Sequence, residues 1–126
     1  MLVLHAAWVL VVAMAISLVY EIWRATSKAG TSRHDSMQNL LGGSVLYGIA
    51  AVVIAILFAG PAWAAWVGLL LCVAWIVYGI FVFNPVVMLE RKPGIIDWVE
   101  DLVFMGLLFI AATLLLYEVL GWELQR

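Results

Sequence analysis

The sequence predicts an all-α integral membrane protein, a single domain over residues 1–126 whose four transmembrane helices form an antiparallel bundle. Three observations predict it. Of the 126 residues, 67% are hydrophobic and only 11% charged, and six Lys plus Arg with eight Asp plus Glu cannot coat a water-soluble domain of this size. No Asp, Glu, Lys or Arg occurs over residues 36–89. That run is far longer than the roughly 20 residues needed to cross a hydrocarbon core about 30 Å thick, so it must turn back on itself. Finally, Trp8, Trp23, Trp63, Trp66, Trp98 and Trp122 all fall near the ends of the spans this implies, where the indole is half buried and its N–H stays wet; only Trp75 lies mid-span.

The first helix is expected over residues 2–23, an apolar run broken only by His5, Ser17, Tyr20 and Glu21. Ala13-Met14-Ala15 has the small-x-small form of a signal cleavage site, but no positive charge precedes the apolar run, so this helix is expected to be retained. The long uncharged stretch divides at Gly60-Pro61, its strongest helix breaker, into helices over 40–59 and 62–84, with Pro85 ending the latter. The fourth helix is expected over 98–122. Polar segments 24–39, centred on Gly30-Thr31-Ser32, and 85–97, with its Pro93-Gly94 turn, are the loops.

Charge sets the orientation. Arg24, Lys28 and Arg33 lie in one of those loops and Arg91 and Lys92 in the other, so five of the six basic residues share a side. The positive-inside rule makes that side cytoplasmic and leaves both termini and the Gly60-Pro61 turn outside. A net charge of -2 offers no basic field to a nucleic acid, so the expected partners are the lipid bilayer and other membrane helices.

Ionisable groups in or near a span are candidates for function because burying them is expensive. Glu21, Asp97, Glu100, Asp101 and Glu118 qualify, and Glu21, Glu100, Asp101 and Glu118 are the candidate ion or proton sites. At about 100° per residue, Asp97, Glu100, Asp101 and Phe104 share one face of the fourth helix, and Glu118 returns to the same stripe. That face suits an ion route. A capping reading competes with it and is favoured, since Asp97 with Glu100 has the spacing of a capping box, and carboxylates in a first turn favour the positive end of the helix dipole. Glu21 and Arg24, at i and i+3, are expected to pair with each other.

Other chemistry finds little support. His5 and His34 lie on opposite sides and cannot share a haem, and no Cys and His cluster has zinc spacing, so neither cofactor nor metal is expected. Cys72 and Ser44 have no histidine at comparable depth to act as a base, which argues against an enzyme without excluding one. Small residues recur at helical spacing instead: Ser44, Gly48, Ala51 and Ala55 on the second helix, Gly68, Cys72 and Gly79 on the third. Such stripes let backbones approach, and the two are expected to face each other within the hairpin, a contact between subunits being the alternative. Poverty in buried polar groups favours a non-catalytic subunit or helper of a membrane complex. A small homo-oligomeric transporter or channel, using the carboxylates for a cation or proton, is the alternative.

Overall fold

The computed structural model describes residues 2–30, 35–91 and 93–121, and every element among them is helical. Four helices are each long and apolar enough to cross a membrane. They are α1 (Leu2–Thr26), α2 (Met37–Ala59), α3 (Ala64–Tyr78), which runs on into a π-helical segment (Gly79–Met88), and α4 (Ile95–Val119). Arg33, His34, Lys92 and Trp122, which entered the expectations above, lie outside the described residues.

The boundaries follow local chemistry more closely than hydropathy. Ser36 sits in extended conformation before α2, and its hydroxyl accepts from the Asn39 N–H at 3.0 Å, so the helix starts at Met37 and takes polar Gln38 and Asn39 into its first turn. It ends at Gly60, whose φ of 80° is left-handed backbone suited to glycine, and the Gly60 N–H closes on the Ile56 carbonyl before Pro61 stops the helix. α4 begins before Trp98 because the Asp97 carboxylate accepts from the Gly94 N–H at 2.8 Å.

Pro85 does not end the third span as its type predicts. A proline lacks the N–H donor and its ring crowds the carbonyl four residues back. The helix answers by widening into π geometry, in which the Leu89 N–H reaches five residues back to the Asn84 carbonyl. The span therefore runs to Met88 rather than to Asn84.

The longest seam joins α1 to α4, while α2 contacts both α1 and α3, and α3 also contacts α4. One buried row along α1 runs Ala6, Leu10, Ala13, Ser17, Tyr20 and Arg24, with Ala7, Met14 and Ala25 buried beside it, and along α4 the buried positions are Asp97, Phe104, Leu108, Ala111 and Leu115. Both sets step by four and three or by seven, the spacing that keeps one stripe of each helix on its neighbour. Alanines on α1 let the leucines of α4 pack closely.

The two small-residue stripes do not meet. Gly68, Cys72 and Gly79 are buried, but Ser44, Gly48, Ala51 and Ala55 are exposed on α2. At Gly68 α3 is closely approached: a Cβ there would stand 2.9 Å from Leu115 Cδ1 and 3.0 Å from Leu57 Cδ2.

Candidate functional site

Polar chemistry concentrates at the end of the molecule that carries the two longer loops. Arg24, in the last turn of α1, is 3% exposed, and it turns away from Glu21. Its Nε donates to Asp35 Oδ1 at 2.9 Å and its Nη2 to Asp35 Oδ2 at 2.5 Å, while Nη1 lies 3.4 Å from Asp97 Oδ1. Glu21 instead holds Arg91 from the loop before α4, in two parallel bonds of 2.8 Å. Arg91 Nε stands 3.1 Å from Asp35 Oδ1, so Asp35 is shared by both guanidiniums. Tyr20 completes the group by donating its hydroxyl to Asp97 Oδ1 at 2.5 Å.

Two-pronged guanidinium to carboxylate pairs are the geometry that repays burial of charge. The Arg91 guanidinium also lies 5.9 Å from the Tyr20 ring and 5.7 Å from the Phe83 ring, which ties the π segment to α1. Burial works against the charge of Arg91, but hydrogen bonding to Glu21 and the charges of Glu21 and Asp35 outweigh it, and its proton is held more firmly than usual.

Beside this network lies a half-open cavity of about 690 Å³ between the four helices. It takes Ser17 and Glu21 from α1, residues from Gln38 to Tyr47 on α2, Trp75 to Val87 on α3 and the π segment, and Glu100 to Met105 on α4. Deeper residues of each helix, such as Leu10, Leu57, Cys72 and Leu108, belong to the packed core instead. The boundary between the two halves is aromatic. Tyr47 stands 6.0 Å from Trp75, and Trp75 6.1 Å from Phe104, while the Tyr47 hydroxyl is 2.6 Å from Ser17 Oγ.

α2 buries little at this end. Its first buried residue is Ala50, and a Cβ added at Gly42, Gly43 or Gly48 would meet nothing within 4 Å.

No family model, curated protein or solved structure matches the chain.

Of the acids singled out by sequence, Glu21, Glu100 and Asp101 come together at the cavity. Glu21 is engaged by Arg91, and Asp101 accepts a 3.4 Å bond from Asn84 Nδ2. The Asn84 side-chain oxygen Oδ1 is buried with no donor among the described residues. Capping falls to Asp97 with Gly94, and Glu100 faces the cavity instead. Glu118 is separate: it is exposed and shares a shallow hollow with Gly60 and Pro61 at the opposite end of the molecule. The Glu21 and Arg24 pair expected from their spacing does not form, because each finds a better-aligned partner from a distant loop.

Asp35 is the residue that sequence reasoning missed. It reads as an ordinary loop acid before a capping serine, yet its side chain is 0% exposed. Among the described residues, no group of three or more His, Cys, Asp or Glu side chains is placed to hold a metal ion.

Proposed function

We propose that the chain crosses a membrane four times as an antiparallel bundle, its two basic loops cytoplasmic, and works as a small transporter or channel that takes a cation or proton at Glu100 and Asp101. One observation carries this reading. The cavity wall holds three carboxylates, Glu21, Glu100 and Asp101, against a single guanidinium, Arg91, and that guanidinium is already committed to Glu21 and Asp35. A surplus of negative charge in a low-dielectric recess favours a positive occupant. The arginine network beside it is structural and fixes the loops. The orientation rests on Lys and Arg counted in short loops, a rule in which paired acids weigh little.

Proteoliposomes containing the purified chain are expected to relax an imposed pH or cation gradient faster than empty liposomes. The Glu100→Gln/Asp101→Asn double variant should lose that flux while remaining folded and monodisperse. Flux equal to that of empty liposomes, or unchanged in the double variant, would overturn the reading.

A second reading, a non-catalytic subunit or helper, is favoured by a different observation: Ser44, Gly48, Ala51 and Ala55 present small residues outward along α2. Gentle extraction from the native membrane, with the mass measured and every component identified, separates the two. Recovery alone or as a homo-oligomer supports the transporter, and recovery with other polypeptides supports the subunit.

A further inference from the structure

We propose that the occupant of this cavity is a cationic amphiphile, a protonated amine or quaternary ammonium on a single apolar chain, which enters sideways from the bilayer between the first half of α2 and the π segment. The inference rests on reading Glu100 and Asp101 as a cation site, and it adds what the walls and the mouth select.

The mouth is lateral. Residues 37–49 of α2 include none that is buried. Leu46, Val82 and Val86 line the cavity and are 43%, 43% and 40% exposed, so the side chains that wall it on one side also face outward on the other. They are its lips, and they are apolar. The π segment continues α3 in one helix and makes few contacts with α2 or α4, which leaves the gap unfilled. In a bilayer such a gap faces hydrocarbon, and an apolar chain lying across it fills space that water fills poorly.

The inner end selects charge. Glu100 and Asp101 stand on one turn of α4 at the cavity wall, and Tyr47, Trp75 and Phe104 form its aromatic floor. Carboxylates with ring faces suit an ammonium head, through Coulomb attraction and cation–π contact. A phosphate-bearing head would be repelled by the same carboxylates. A bare metal ion lacks a cluster of ligands among the described residues. The cavity volume lies within the range of sites that take drug-sized ligands.

The test is equilibrium binding of labelled decyltrimethylammonium to the full chain in nanodiscs, with empty nanodiscs as blank and with tetramethylammonium and decyl sulfate as comparators. Saturable, one-to-one binding of the long-chain cation is expected. It should weaken at least about tenfold in the Glu100→Gln/Asp101→Asn variant, which removes the Coulomb attraction of both carboxylates. It should also weaken in Val86→Trp and, independently, in Leu46→Trp, which crowd the lips without touching the acids; tetramethylammonium binding should be unaffected by either. Decyl sulfate binding as tightly as the cation would overturn the inference, leaving an apolar groove. Equal affinity for tetramethylammonium, with the lip variants silent, would overturn the amphiphile and leave the cation site standing. If neither cation binds, this inference falls, while the cation or proton reading stands or falls on the liposome flux.

Discussion

Arg91→Ala is expected to cost about 3 to 5 kcal/mol of stability, the largest loss at any single side chain of the network. Arg91 is 1% exposed and holds Glu21 through two bonds while pairing with Asp35. Truncation leaves Glu21 without that guanidinium and Asp35 with Arg24 in place of two, and it removes a guanidinium held near two aromatic rings. Arg91→Lys should recover only part of the loss, since an ammonium cannot make two parallel bonds to Glu21 and reach Asp35 as well. The checking measurement is the thermal midpoint of purified protein followed by size-exclusion, in a detergent that keeps the wild type monodisperse. A midpoint unchanged in the alanine variant would mean that the network is ornamental.

The second large effect is expected at Gly68→Leu. Four added heavy atoms would enter a space where even one Cβ meets Leu115 and Leu57 at 2.9 and 3.0 Å, both of which are 0% exposed. Overpacking of a well-filled core costs about 1 to 3 kcal/mol, and a leucine here should reach or pass the upper end of that range. Gly68→Ala meets only the ends of flexible side chains and should sit near the lower end. Gly48→Leu, where nothing stands within 4 Å, should leave the chain's own thermal midpoint unchanged. Equal losses at Gly68 and Gly48 would contradict this packing.

How legible the molecule was in its sequence divides along physical lines. The number of apolar helices followed from the uncharged run over residues 36–89 and from Gly60-Pro61, because hydropathy and a proline turn act locally. Pro85 misled, since a proline rules out one hydrogen-bond pattern and says nothing about a wider one. Of the stripe expected on α4, Asp97 and Phe104 are buried while Glu118 is exposed, because regular helical spacing does not say how far along the helix a neighbour covers it. The seam on α1, Ala6, Leu10, Ala13, Ser17, Tyr20 and Arg24, was present in the sequence at the same spacing, hidden because its members differ so much in chemistry. Pairing was the least legible. Glu21 and Arg24 are neighbours on one helix, but their partners come from 70 and 11 residues away, and no local rule names them. Asp35 was invisible for the same reason.

The arginine network also carries an order of arrival. Glu21, Arg24 and Asp35 belong to the first part of the chain, so before the third helix is made the site holds two acids against one arginine. Arg91 brings it to two against two, and Asp97, arriving with α4, makes it three against two and is steadied by the Tyr20 hydroxyl and the Gly94 N–H. Glu21 therefore gains its guanidinium, and Arg24 its second carboxylate, only once the later segments are in place.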